Sequence, residues 1–154
     1  MEFAIATPDD IPGLCELLGE LFVQETEFAP DPAVQARGLA VIIGDTSVGE
    51  ILLARESESV TAMVSLLYTV STALGAKVAL LEDMVVSQRH RGQGIGGSLL
   101  KRAIAHAKAQ GCRRITLLTD RDNSRARSLY AREGFSKSSM CIMRLPLDQG
   151  ANEQ

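Results

Sequence analysis

Tryptophan is absent from this 154-residue chain, and two tyrosines with four phenylalanines supply all of its aromatic surface. Proteins that grip single-stranded nucleic acid stack bases on interleaved aromatics, so an aromatic content of 4% argues against that class. No apolar run approaches the roughly 18 residues needed to cross a membrane. Neither a nucleic acid nor a membrane is therefore expected as a partner. The opening residues, Met1-Glu2-Phe3-Ala4-Ile5, carry an early acid and no basic segment, unlike a secretory leader. Cysteines are few, odd in number and far apart: Cys15, Cys112 and Cys141. That pattern excludes a disulfide framework or zinc knuckle and fits reduced thiols in the cytoplasm. The two histidines, His90 and His106, lack a cysteine or acid at ligand spacing, so no metal is expected and both are read as surface residues.

Against these absences stands a hydrophobic content of 45%, enough for one domain with a real core. A single domain over residues 1–148 is expected, with 149–154 a disordered polar tail. The net charge of −3 hides a split. Residues 1–58 hold twelve acids and two bases, whereas 84–147 hold thirteen bases and three acids. Such asymmetry can set a cationic patch for an anionic ligand beside an anionic one.

The periodicities predict a strand at 2–6, then a helix opened by Thr7-Pro8-Asp9-Asp10, a capping-box spacing with proline at the first helical position. Its apolar stripe is Ile11, Leu14, Cys15, Leu18, Leu21 and Phe22. A second helix covers 33–43, and strands follow at 50–55, 60–70 and 77–86. In the last of these, Val78, Leu80, Met84 and Val86 fall on one alternating face and Ala79, Leu81 and Val85 on the other, as in a central strand covered on both sides. A helix at 96–109, a strand at 114–119, a short helix at 124–133 stopped by Gly134, and a final strand at 135–147 complete the order. This is an α/β (α+β) sheet domain with a ligand expected at the glycine turn.

That turn, Arg91-Gly92-Gln93-Gly94-Ile95-Gly96-Gly97-Ser98, is the most informative stretch. A glycine-rich turn entering a helix leaves backbone N–H groups aimed at one point, where the helix dipole also favours negative charge. It reads as a phosphate or pyrophosphate cradle. Gly92 to Gly97 spells the dinucleotide fingerprint, and Asp120 follows at the distance of a ribose-binding acid. The context disagrees, because polar residues 87–91 separate strand from glycine and too little chain remains for a second mononucleotide half. A P-loop lacks its Lys-Ser/Thr pair.

More of the chain supports another reading. Val85-Val86-Ser87, Arg91-x-x-Gly94-x-Gly96 and Leu99-Leu100 resemble the acyl-CoA-binding motif of the GNAT N-acetyltransferase superfamily. Downstream, Asn123-Ser124-Arg125-Ala126-Arg127-Ser128-Leu129-Tyr130-Ala131-Arg132-Glu133-Gly134-Phe135 resembles the family's second motif, N-x-x-A-x-x-L-Y-x-x-x-G-F. The two together span about residues 79–136. The resemblance implies a mixed, mainly antiparallel twisted sheet flanked by helices, with an acyl-CoA cleft where central strands splay apart. It implies acetyl transfer from acetyl-CoA, without metal, to a primary amine on a small molecule or peptide, and a cytoplasmic homodimer. A non-catalytic acyl-CoA sensor on the same fold is the alternative.

By the same resemblance the pyrophosphate would sit on the N–H groups of Gln93, Gly94, Ile95, Gly96, Gly97 and Ser98, with Arg91 adding positive potential. Met84, Val85 and Val86 would bind the pantetheine like an added strand, and Asn123 would cap its helix and touch the CoA arm. Tyr130 stands at the family's tyrosine position and would protonate the departing thiolate. Glu82, a carboxylate within an apolar strand, is the candidate base, its burial expected to favour the protonated form. Leu81-Glu82-Asp83 also resembles polyamine-type members. Asp83 or a water is the alternative base. Acids at Glu16, Glu20, Glu25 and Glu27 would favour a polycationic acceptor if they face the cleft.

Overall fold

Period-two stretches become five strands and the longer periodic stretches become four helices in a computed structural model that describes residues 1–24 and 29–147. Glu25, Glu27 and the tail at 149–154 lie outside the described residues. Strands β1 (Glu2–Ile5), β2 (Gly49–Glu56), β3 (Ser59–Ser71), β4 (Ala76–Val86) and β5 (Ile115–Leu117) form one sheet in sequence order. Every pairing is antiparallel except β4 with β5. The mixed, mainly antiparallel sheet expected from the sequence is therefore present.

Helices α1 (Ile11–Gln24) and α2 (Pro32–Gly44) cover one face, and α3 (Ile95–Ala109) covers the other. Under α3, Leu99, Leu100 and Ala103 pack on Leu52, Val64, Leu66 and Leu81. Opposite, Leu14, Leu17 and Leu18 of α1 and Leu39 of α2 pack on Ile51, Leu53, Met63 and Val85. Full burial of each such leucine or isoleucine contributes about 1.5–3 kcal/mol. The expected capping box forms: the Asp10 carboxylate accepts the Thr7 N–H at 2.8 Å and the Thr7 hydroxyl at 3.3 Å. Its other oxygen pairs with Arg55 at 2.7 Å, tying the start of α1 to β2.

Three expectations are corrected. The two faces of β4 exchange midway, because Asp83 is the extra residue of a bulge with φ 53°. Ala79 and Leu81 therefore share the α3 side with Met84 and Val86, while Val85 joins the α1 side. Strand β5 holds three residues instead of six, because its pairing with β4 ends at Leu81 and Leu117. The final strand expected at 135–147 is absent, since no residue there joins a ladder and an extended segment without one is not a strand.

Candidate active site

The parting of β4 from β5 makes the site. Beyond Leu81, β4 stays paired to β3 as far as Val86 but no longer to β5. The chain then makes one tight turn at Gln88–His90 and enters the glycine run. Gly92 and Gly94 take φ of 78° and 80°, left-handed values that a side chain disfavours. Gly94 is the N-cap of α3. The N–H groups of Ile95, Gly96 and Gly97 thus lack an intrahelical acceptor. The Ser98 N–H is already bonded to the Gly94 carbonyl at 3.1 Å, so Ser98 offers an exposed hydroxyl and not the main-chain donor expected of it. The Ile95 side chain belongs to the core.

A Cβ added to Gly96 would stand 3.4–3.7 Å from Val86, Met84 and Leu129. The end of β4, the start of α3 and α4 (Ser124–Arg132) therefore converge at this point. Positive charge gathers here too. The Arg91 Nε donates to the Val86 carbonyl at 3.0 Å, and the Arg125 guanidinium reaches to 4.0 Å from a Cβ position on Gly92. Arg127 turns away to the Arg121 carbonyl. Gln93 is exposed, with its side chain 3.4 Å from the Arg89 carbonyl.

Glu20 crosses from α1 to this loop. Its Oε2 accepts the Gln88 N–H at 2.9 Å and lies 3.9 Å from Arg91. With Gly19 and Val23 these residues line a cleft of about 580 Å³. Glu16 is exposed.

Glu82 and Tyr130 occupy opposite faces of the sheet. Glu82 pairs with Ser65 and so projects to the α1 side, whereas Tyr130 packs into the cluster beneath α3. Glu82 is half-buried and not enclosed as expected, because it lies where the sheet opens. The Tyr130 ring meets Phe135 edge-on at 5.8 Å, and burial raises its phenol above the usual tyrosine range. Asn123 caps α4, its Oδ1 accepting the Ala126 N–H at 3.1 Å.

Sequence reasoning missed Ser65. It is 1% exposed, and its hydroxyl has no hydrogen-bond partner among the described residues. A hydroxyl at an apolar position, between Met63 and Leu67 on one face of β3, was the available signal. The histidines are also corrected: both are partly buried. His90 contacts Ser87 and Glu56, and His106 meets Glu50, which also accepts the Tyr68 hydroxyl. Among the described residues no cluster suited to a metal occurs. No helix there is long and apolar enough to cross a membrane.

Comparison with known proteins agrees with this fold. An uncharacterized N-acetyltransferase of Bacillus subtilis, YhfO, is 33% identical over 89 residues, covering 58% of this chain and 60% of that protein. The chain thus matches about three fifths of that relative's length. A putative acetyltransferase structure from Agrobacterium tumefaciens superposes with a TM-score of 0.80 at 25% identity, covering 95% of this chain and all of that one. A transcriptional regulator from Bacillus halodurans superposes equally well, at 28% identity over 95% of this chain and 99% of its own. Residues 12–135, which hold the glycine turn, both candidate catalytic residues and Asn123, match the acetyltransferase (GNAT) family, and the chain belongs to that family.

Proposed function

We propose that the protein transfers an acetyl group from acetyl-CoA to a primary amine by direct attack on the thioester. One observation carries the reading. The split between β4 and β5 opens beside a glycine turn whose free N–H groups and two guanidinium groups suit a pyrophosphate. A donor laid along the split would set its phosphates on the N–H groups of Gln93–Gly97. Its pantetheine amides would run beside the main chain of Met84, Val85 and Val86 as an added strand, with the Val86 carbonyl already held by Arg91.

In this reading the neutral amine attacks the thioester carbon, a C–N bond forms and the C–S bond breaks. The thiolate takes the Tyr130 phenolic proton, and the proton lost by the attacking nitrogen passes to Glu82, with Asp83 or a water as the other acceptors. Acid and base lie on the two faces of the sheet, so the tetrahedral adduct can lose the amine proton on one side and its sulfur can be protonated from the other. Positioned proton transfer of this kind contributes about 10²–10⁴-fold. Alignment of two bound substrates adds to it.

The acceptor is a small-molecule or peptide amine. Glu20 is committed to Gln88 and Arg91, which weakens the case for a polycation gathered by α1. We assign the protein to the cytoplasm as a homodimer, as the family resemblance implies. A second reading, a non-catalytic acyl-CoA sensor, is favoured by the likeness to the Bacillus halodurans transcriptional regulator. Calorimetric titration with acetyl-CoA, with NADH and ATP as controls, followed by an amine screen read by thiol release, separates these. Binding with turnover supports the enzyme, and binding without turnover of any amine supports the sensor. Preference for NADH or ATP removes both.

A further inference from the structure

Among the described residues, Gln35, Arg55 and Ser65 hold buried side-chain polar atoms without a hydrogen-bond partner. Arg55 is paired through another nitrogen with Asp10, and Gln35 lies on α2, outside the sheet. Ser65 lies within the sheet, almost fully buried and directly across from Glu82. Its other neighbours on that face are Ile51, opposite it on β2, and Met63 and Leu67 along β3. All three are apolar. Within the sheet, Glu82 is therefore the one side chain beside Ser65 that offers an oxygen to its hydroxyl.

A native fold leaves few buried polar groups unpaired, and each one calls for a physical reason. Glu82 supplies it. Its carboxylate is half-buried, open to water where β4 leaves β5. Acetyl-CoA and an amine filling that opening displace the water, and a carboxylate taken out of water needs a donor. Side chains directly opposed on neighbouring antiparallel strands have Cβ atoms about 5 Å apart. A serine hydroxyl turning about one bond and a glutamate turning about three can meet across that gap without backbone movement.

We infer that Ser65 is a positioning residue for Glu82. With both substrates in place, its hydroxyl donates to one carboxylate oxygen and so turns the other toward the attacking nitrogen. The amine proton passes to that second oxygen, and Ser65 keeps its own proton throughout. A donor fixed in the sheet before the substrates arrive needs no reorganisation at the moment of reaction. The unpaired hydroxyl of the free protein is the cost of that readiness. The role rests on the acetyl-transfer reading and deepens it by naming what holds the base.

The test is a double-mutant cycle on the full chain, with Ser65→Ala, Glu82→Gln and the two together. Steady-state kinetics with acetyl-CoA and an amine from the thiol-release screen supply the readout. Ser65→Ala is expected to lower kcat about tenfold, with acetyl-CoA affinity unchanged and the thermal melt no lower. In the Glu82→Gln background the same change is expected to cost less than about twofold, because a group acting through Glu82 has nothing left to act on. Ser65→Thr keeps the hydroxyl and is expected to restore most of the lost rate. A loss of about tenfold in both backgrounds overturns the assignment, since independent losses multiply. So does an unchanged kcat in Ser65→Ala, or a Ser65→Thr chain that folds as stably yet is no faster than Ser65→Ala. A Ser65→Ala chain that fails to fold makes the hydroxyl structural and overturns it too. Full turnover in Glu82→Gln removes the base and this role together, while acetyl transfer stands. No turnover of any amine by the unmodified chain overturns both the acetyl-transfer reading and the role of Ser65.

Discussion

Ser65 stands directly across from Glu82 in the β3–β4 register, at the point where the Asp83 bulge begins. A buried hydroxyl without a partner costs about 1–3 kcal/mol. Ser65→Ala is therefore expected to leave stability unchanged or raise it by about 1 kcal/mol, while lowering kcat about tenfold if the hydroxyl serves the acceptor side beside Glu82. Glu82→Gln should lower kcat by about 10²-fold or more with acetyl-CoA affinity unchanged. Thermal melts with steady-state kinetics read both. Full turnover in either variant would remove that residue from the site.

Glu20 competes with any anion for Arg91 and the Gln88 N–H. Glu20→Gln should tighten acetyl-CoA binding about threefold at low salt, the modest effect of a half-exposed charge. The gain should fade above about 0.5 M salt, where screening is short-ranged. Calorimetry at two ionic strengths measures it, and equal affinities at low salt would refute the competition.

Both tyrosines are held above the ordinary phenol range, Tyr130 by burial and Tyr68 by burial and then the Glu50 carboxylate. A phenol that stays protonated suits the proton donor proposed for Tyr130. Because the folded values lie above the unfolded one, this contribution to stability is full below about pH 10 and is lost as pH rises beyond it. With no tryptophan in the chain, absorbance at 295 nm reads these two groups cleanly. Neither should ionise near pH 10 while the protein is folded, and a normal titration there would contradict the burial argument. Tyr130→Phe should lower kcat about 10²-fold and leave acetyl-CoA affinity intact.

Asp10 ties the turn before α1 to β2 through one carboxylate, accepting the Thr7 N–H and pairing with Arg55. Asp10→Ala should cost about 2 kcal/mol, less than a fully buried pair because Arg55 is partly exposed. That corresponds to a Tm lower by about 6 °C. Asp10→Asn, which keeps the cap acceptor, should cost less. Equal losses in the two variants would show that the cap on Thr7 contributes nothing beyond the charge pair with Arg55.

The glycine turn and the helices were legible because their causes are local. Positive φ at Gly92 and Gly94, the N-cap of α3, the Thr7–Asp10 box and the Asn123 cap all depend on residues a few positions apart. The faces of β4 were misread for the opposite reason. One extra residue at Asp83 shifts every later side chain to the other face, and a period-two pattern carries no mark of it. The burial expected for Glu82 failed likewise, because an apolar strand does not reveal where its neighbour strand departs.

By itself, the sequence determined the order of elements as far as α4, the glycine turn that opens α3 and the family, since backbone propensity and motif spacing are written along the chain. Tertiary structure alone decided that β4 and β5 separate at Leu81, that Glu82 and Tyr130 lie on opposite faces, that Glu20 reaches the loop before the glycine turn and that residues 138–147 find no ladder in their own sheet. These are contacts between residues tens of positions apart, and they exist only once the strands have chosen their partners.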